Sequence, residues 1–377
     1  MKVRSLFLSM LAAIALTTCM TSCSDDDDND GPVNPVVTHS YTAWVLNEGG
    51  YQLNNAGITK FLFNTNEVTN NDLYFDANQK SLGDTGQDIV VGSDGYIYVS
   101  VYGSSYIAKL DHNGVEQGRL SFTEGVLTEL GDPRYLVEKN GFLYATCYGG
   151  YVVKINTDNM SILETVKTDL VKDEEDPDKD AVDNNPEYII EKDGYIYCTN
   201  SGWGKGNTVS VINASNFAAG SRTLKVMYNP DRIIAARGHI FVQGYGEYYD
   251  YPWGELNPTT GKFTQIGNAS NWAENNGVLY LVNSVTDWTT YQTTNYFSKY
   301  DITTGTLTEG SYLVNAPAEL ASSSIYGMNF NTFNNHLYIM TSDFVTNGKI
   351  YVFDDQLKYV TTIQSGGVSP RKVIFFQ

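Results

Sequence analysis

The stretch GYIYV, at residues 95–99, is one copy of a short repeat that runs through most of the 377-residue chain. Every copy places an aromatic residue at its fourth position. The other copies are GFLYA (141–145), GYIYC (194–198), GHIFV (238–242), GVLYL (277–281), the variant NHLYI (335–339) and the opening YTAWV (41–45). Self-similarity at intervals of about 40 to 60 residues is typical of a repeat architecture.

The segments around each copy complete a unit of four short strands. A second apolar segment ending in Asp or Asn follows the repeat, as in IAKLD (107–111), and another strand-like segment precedes it, as in PRYLV (133–137). Seven such units predict an all-β fold, a seven-bladed β-propeller over residues 40–377. The final segment, PRKVIFF (370–376), repeats the first-strand pattern. We expect it to pair with the blade that begins at Tyr41 and so to close the ring.

The first residues have the layout of a secretory lipoprotein. Lys2 and Arg4 precede an apolar run at 6–16, which predicts a signal peptide over residues 1–22 that is too short to span a membrane. We expect Cys23 to carry the lipid, with Cys19 as the alternative anchor. Residues 23–39 then form a lipidated linker whose acidic stretch at 24–32 predicts a disordered tether. The linker is also similar to a surface-export signal; a plain solvated linker is the alternative. The expected location is the outer membrane, at the cell surface.

Charge and cysteine content exclude several functions. The formal net charge is −19, which disfavours binding to nucleic acid or anionic lipid head groups. Apart from the two cysteines near the amino terminus, the chain has Cys147 and Cys198. Two cysteines are too few for a disulfide framework or a cysteine metal site, so we predict that both are buried strand residues.

Aromatic residues mark one face of the predicted ring. The loops between the second and third strands of the blades emerge on one face, and each of them carries Tyr, Trp or Phe, as binding surfaces often do. Packing against a neighbouring blade is the alternative role. Polar residues that open the first strands face the same rim, around the central opening. The predicted ligand-binding residues are Tyr51, Gln87, Tyr102, Arg134, Tyr148, Trp203, Arg232, Tyr245, Tyr251, Trp288, Phe344 and Arg371.

Catalytic and metal-binding motifs are weak by comparison. The four histidines (His39, His112, His239 and His336) do not form a metal-ligand motif, and the sequence has no phosphate loop or nucleophile motif. The acidic stretch at 173–180 offers calcium ligands but lacks EF-hand spacing, so a solvated loop is the simpler interpretation. We therefore predict a binding protein without cofactor or metal; a propeller lyase or hydrolase is the enzymatic alternative.

Three segments carry a resemblance to a known family. They are WVLNEGGYQLNNAGITKF (44–61), SLGDTGQDI (81–89) and GYIYVSVYGSSYIAKLD (95–111). Together they resemble the YncE-like propeller lipoproteins of Bacteroidetes and, within them, the cobalamin-capturing BtuG group. The resemblance implies cobalamin or another corrinoid as cargo and a TonB-dependent transporter of the BtuB type as partner. A glycan-binding surface lipoprotein is the alternative, with Trp203, Trp253 and Trp288 as platforms for sugars.

Overall fold

Each copy of the aromatic repeat forms the second strand of a four-stranded antiparallel sheet, and there are seven such sheets. The computed structural model describes residues 41–168 and 185–376. In chain order the strands are β1 Thr42–Asn47, β2 Gly57–Leu62, β3 Glu67–Asn70, β4 Gly86–Val91, β5 Ile97–Val101, β6 Tyr106–Leu110, β7 Glu116–Ser121, β8 Pro133–Lys139, β9 Phe142–Cys147, β10 Tyr151–Asn156, β11 Ser161–Lys167, β12 Pro186–Lys192, β13 Tyr195–Asn200, β14 Thr208–Asn213, β15 Ser221–Lys225, β16 Pro230–Ala236, β17 His239–Gly244, β18 Pro252–Leu256, β19 Phe263–Asn268, β20 Asn271–Asn275, β21 Val278–Asp287, β22 Gln292–Asp301, β23 Thr306–Glu309, β24 Ile325–Phe330, β25 Leu337–Thr341, β26 Asn347–Phe353, β27 Tyr359–Val368 and β28 Pro370–Phe376.

The last strand closes the ring, as predicted. Blade 1 has the strand order β28-β1-β2-β3, and each of the other six blades uses four consecutive strands. Strand β28 runs antiparallel to β1, with Ala43 opposite Phe375 and Val45 opposite Val373. Strand β28 thus covers the edge that β1 would otherwise expose and completes the seventh four-stranded blade. The prediction of an all-β, seven-bladed propeller is confirmed.

Burial follows the position of a strand within its blade. All residues of β1, β5 and β6 are buried, whereas β7 and β11 on the outer edge carry several exposed residues. The central strands are continuous apolar runs because each blade is covered by a neighbour on both faces. The core therefore lies between blades; one cluster, for example, joins Trp44 of blade 1 to Val99 of blade 2.

Three residues considered in the sequence analysis, Cys147, Cys198 and Trp253, are buried in this core. Cys147 and Cys198 are free, fully buried strand residues, as predicted, and burial raises the pKa of the Cys198 thiol to about 12. Trp253 is also completely buried, with its ring centroid 5.3 Å from that of Tyr300. The interpretation of Trp253 as a platform for sugars was wrong, because its strand places the indole between blades 5 and 6.

Helical segments are short. The α-helix α1, Leu73–Asn78, is capped by the Asp72 carboxylate, which accepts a hydrogen bond from the Phe75 amide at 3.1 Å. Short 3₁₀ helices occupy Gly125–Leu130, Gly202–Gly204, Phe217–Ala219 and Ala318–Ala321. Within residues 41–168 and 185–376, no helix has the length and apolar character needed to cross a bilayer.

The loops divide the ring into two faces. We call the upper face the one that carries the loops between second and third strands and the connections between blades; the lower face carries the remaining turns. The predicted signal peptide, Cys23, the acidic linker and the calcium-binding alternative at 173–180 all lie outside the described residues. They remain predictions.

Candidate functional site

All eight predicted aromatic contact residues lie on the upper face, in loops between second and third strands. The side chains at Tyr51, Trp203, Trp288 and Phe344 are more than half exposed. By blade, the eight are Tyr51 (blade 1), Tyr102 (2), Tyr148 (3), Trp203 (4), Tyr245 and Tyr251 (5), Trp288 (6) and Phe344 (7).

Several of these rings contact one another across blade boundaries. The Tyr102 and Tyr148 ring centroids are 5.2 Å apart, and so are those of Tyr148 and Trp203. In the next blade, the Tyr245 ring lies 6.1 Å from Tyr249 and 5.8 Å from Tyr251. We call these six residues the aromatic arc.

Two cavities join the parts of the arc to each other and to blade 6. A cavity of about 200 Å³ lies between Tyr148 and Trp203 on one side and Tyr245 and Tyr249 on the other. A second, of about 560 Å³, extends from Tyr245 and Tyr251 to Trp288. The structure thus brings six of the predicted aromatic residues onto one continuous surface that spans blades 2 to 6.

The backbone of this face is unusual. Five aromatic residues among those described have positive φ angles, between 52° and 64°. They are Trp203, Tyr249, Tyr251, Tyr291 and Phe344, and all five lie in upper-face loops between second and third strands. The left-handed conformation costs a residue with a side chain about 1–2 kcal/mol relative to glycine. Strain of this kind is concentrated at binding and catalytic sites, where the residue is retained for its function although it lowers the stability of the fold.

A set of paired charges lies on the first strands, apart from Glu48, which lies in the loop that follows β1. We call it the charge belt; its pairs are Arg134 with Glu187, Arg371 with Glu48, Lys372 with Asp88 and Arg232 with Asp231. Each cation has a carboxylate partner, so the belt as a whole is electrically balanced. A ligand on the upper face therefore meets a floor with little net charge.

Arg134 is the central member of the belt. Its Nη2 donates to Glu187 at 2.8 Å, its Nη1 donates to Gln87, and its guanidinium lies 4.7 Å from the Tyr102 ring and 4.5 Å from the Tyr148 ring. Burial raises the pKa of Glu187 although Arg134 opposes that rise. The Tyr148 hydroxyl also donates to Glu187. Arg134, predicted as a ligand contact, therefore supports the arc from below and uses much of its hydrogen-bonding capacity internally. Gln87, also predicted as a ligand contact, accepts from Arg134, but its buried amide nitrogen has no hydrogen-bond partner among the described residues.

The other two predicted arginines line the central channel. A cavity of about 290 Å³ there is bordered by Arg232, Arg371 and the stacked pair Tyr135 and Tyr188, whose ring centroids are 3.7 Å apart. Arg371 donates to Glu48 and to the Tyr135 hydroxyl. Arg232 donates to Asn271 at 2.6 Å. Both arginines hold first strands of different blades together around the opening.

Sequence reasoning did not select three residues that the structure places at this face. Glu48 accepts from Arg371 and Tyr326, and Tyr249 and Tyr291 are exposed aromatic residues with positive φ. The run of tyrosines at 245–251 was a usable signal for Tyr249. Nothing in the local sequence indicates that Glu48 would meet Arg371, because the two are 323 positions apart.

The hairpin β21–β22 separates the arc from a second opening. Its strands have ten residues each, more than the second and third strands of any other blade, so its tip rises above the upper face. Trp288, on one side, lines the cavity that reaches the arc. Tyr291, on the other side, lines a groove of about 920 Å³ that also contains Phe344. Phe344 is thus separated from the other predicted aromatic residues.

Histidines and metal-ligand clusters are not part of the upper face. In the described ranges, His112, His239 and His336 lie in or beside lower-face turns, and His239 Nδ1 lies 2.7 Å from a Glu255 oxygen. No group of three His, Cys, Asp or Glu residues among the described positions is arranged to hold a metal ion.

Comparison with known proteins supports the fold. No protein-family model matches the sequence, and no curated protein matches it significantly. A streptogramin B lyase structure aligns over 85% of this chain and 87% of its own, with a TM-score of 0.54 and 13% identity. A catalytically inactive virginiamycin B lyase from Staphylococcus aureus, solved with quinupristin, aligns over 80% and 88%, with a TM-score of 0.51 and 15% identity. Dihydro-heme d1 dehydrogenase NirN in complex with DHE aligns over 89% and 75%, with a TM-score of 0.51 and 11% identity. At such low identity, these likenesses concern the propeller fold alone.

Proposed function

We propose that this chain is a lipid-anchored outer-membrane binding protein that captures cobalamin or a related corrinoid on the aromatic arc. It then passes the corrinoid to a TonB-dependent transporter of the BtuB type. The observation that carries the binding role is that two exposed residues of the arc, Trp203 and Tyr249, are held in the left-handed conformation together with the half-buried Tyr251. Folding alone gives no reason to keep Trp or Tyr at such positions, because glycine or asparagine would relieve the strain.

The chemistry of the arc suits a broad, largely uncharged ligand with amide groups at its edge. A corrinoid has an apolar macrocycle surrounded by amide side chains. The rings of Trp203 and Tyr148 would cover the macrocycle, while tyrosine hydroxyls such as that of Tyr245 would pair with the amides. The balanced charge belt below offers no excess charge that such a ligand would have to neutralise.

The choice of corrinoid as cargo rests on the family resemblance of residues 44–61, 81–89 and 95–111. Attachment through Cys23 and the acidic linker would keep the propeller close to the membrane while leaving its orientation free. That freedom suits a protein that must collect a ligand and then deliver it to a transporter in the same membrane.

Isothermal titration of the purified protein with cyanocobalamin tests the proposal. We expect one-to-one binding, weakened at least about tenfold by Trp203→Ala or Tyr245→Ala, as for aromatic residues at the centre of a binding surface. Tyr195→Ala is the matched control, because Tyr195 is an exposed aromatic residue at the lower face. Absence of heat and of retained colour on the protein would refute corrinoid capture.

A further inference from the structure

We propose that the groove between the β21–β22 hairpin and the β25–β26 loop is a second ligand site, for a neutral oligosaccharide. It is separate from the aromatic arc and does not depend on the corrinoid proposal. Its volume of about 920 Å³ is the largest among the cavities described above. A space of this size lies near the upper end of the ~300–1,000 Å³ typical of ligand pockets and accommodates several sugar units rather than one.

The segment between blades 6 and 7 that borders the groove is fixed by internal hydrogen bonds. Asn295, a buried residue of β22, donates to the carbonyl oxygens of Leu320 and Ser323, both at 2.8 Å, and its own carbonyl accepts from Ser284 at 2.7 Å. The connection between blades 6 and 7 is thereby fastened to the hairpin. A groove that is already formed loses little conformational entropy when a ligand enters.

The walls present polar side chains that have no internal partner. Gln292 and Thr294 on the hairpin, and Asn347 and Lys349 on β26, line the groove and make no side-chain hydrogen bond or ion pair within the described part of the chain. Ser324, on the connecting segment, is in the same situation. Amides and hydroxyls that both donate and accept are the groups that pair with the hydroxyls of a sugar.

Two aromatic residues stand at the rims of the same groove. The side chains of Tyr291 and Phe344 are 78% and 57% exposed, and their φ angles are 57° and 64°. Phe344 is fixed by its amide, which donates to the Ser342 hydroxyl at 2.9 Å. Strained, exposed rings flanking a polar groove provide flat apolar surfaces for the C–H faces of sugar rings, which a purely polar ligand would not use.

The charges of the groove favour a neutral sugar chain. Lys349 is offset by Glu319 and Asp343, and the whole chain has a formal net charge of −19, so an acidic polysaccharide would be repelled. Asp343 is already occupied as an acceptor: the amides of Val345 and Thr346 donate to it at 2.9 and 2.7 Å. The Thr346 hydroxyl also donates to Asp343 and lowers its pKa most. Together with the two amide bonds it holds the pKa of Asp343 down at about 2.

The test is a titration of the purified protein with maltotetraose, cellotetraose, mannotetraose and xylotetraose, followed by calorimetry and saturation-transfer NMR. We expect at least one of them to bind with a Kd between ~10 μM and ~1 mM. Tyr291→Ala and Asn347→Ala should each weaken that binding about tenfold. Trp288→Ala should leave it within about twofold, since Trp288 occupies the same hairpin tip but lines the other cavity.

Cyanocobalamin is titrated into the same variants, so that the two proposals are tested separately. Tyr291→Ala should leave the affinity of the protein for cyanocobalamin unchanged. Saturation-transfer signals absent for all four tetrasaccharides at ~10 mM would overturn the oligosaccharide site. So would binding that Trp288→Ala reduces as strongly as Tyr291→Ala does, because the contact would then not lie in this groove.

Discussion

The strained backbone at Trp203 leads to a quantitative prediction about the free energy of unfolding. Trp203 has a φ of 52° and is 67% exposed, whereas Trp288 is 69% exposed and is not among the positive-φ residues. The two tryptophans are therefore matched in exposure and differ in backbone conformation. Replacing each by alanine and by glycine separates the cost of the conformation from the loss of the ring, because both substitutions remove the ring.

At Trp203, glycine avoids the left-handed penalty that alanine retains, about 1–2 kcal/mol. Glycine also loses more backbone entropy on folding, about 0.5–1 kcal/mol relative to alanine. The Trp203→Gly variant should therefore be more stable than Trp203→Ala by about 0.5–1 kcal/mol. At Trp288 only the entropy difference remains, so Trp288→Gly should be less stable than Trp288→Ala by about 0.5–1 kcal/mol.

Urea denaturation, followed by far-ultraviolet circular dichroism, measures the four free energies of unfolding under one set of conditions. The sign of the glycine-minus-alanine difference should reverse between the two positions. Equal or greater stability of Trp203→Ala compared with Trp203→Gly would refute the claim that the Trp203 backbone is strained. It would also remove the main physical argument for selection of a binding surface at this position.

Three further predictions concern a buried ion pair of the charge belt, a carboxylate on an outer strand and a tightly packed glycine of the upper face. Removing one member of the buried Arg134–Glu187 pair, as in Glu187→Gln or Arg134→Met, should destabilise the fold by about 3–5 kcal/mol in urea denaturation, and the double variant should recover part of that loss. Burial opposes ionisation of Glu116, yet Arg119 and its other partners lower the pKa of Glu116 to about 2. Its contribution to stability is therefore complete above the unfolded pKa, near 4.5, and is lost as the pH falls toward 2. Glu116→Gln should make thermal stability less dependent on pH in that window, and an unchanged pH profile would contradict this assignment. In Gly206→Ala, the new Cβ would lie 2.0 Å from a backbone carbonyl oxygen, so the variant should be destabilised by about 1–3 kcal/mol and bind the corrinoid more weakly than wild type; wild-type melting and affinity would refute this.

The architecture was predictable because it is encoded locally. The second strand of each blade is a short apolar run with an aromatic residue in a fixed place, and the pairing of neighbouring strands requires only turns such as the one ending at Gly95. Closure by β28 was predictable for a similar reason, since residues 370–376 repeat the first-strand pattern. The upper-face position of the aromatic loops followed from the order of strands within a blade.

The details of the site depend on contacts between distant residues. Arg134 and Glu187 are 53 positions apart, and their pairing beneath the Tyr148 ring requires neighbouring blades to be in register. The extra length of the β21–β22 hairpin, which separates Phe344 from the arc, follows from pairing through all ten residues of both strands. Trp253 shows the converse case, because exposure cannot be inferred from residue type when the residue lies within an apolar strand. Positive φ at Trp203 or Tyr291 is also invisible in the sequence, since neither residue type favours it.

Hydrogen–deuterium exchange of the purified protein, with and without saturating cyanocobalamin, tests most directly whether the aromatic arc is the corrinoid site. We expect slower exchange of backbone amides at 201–207 and 245–251 on the upper face, with no change in the lower-face turns at 112–115 and 237–239. Protection confined to the lower face, or no protection at all, would contradict it.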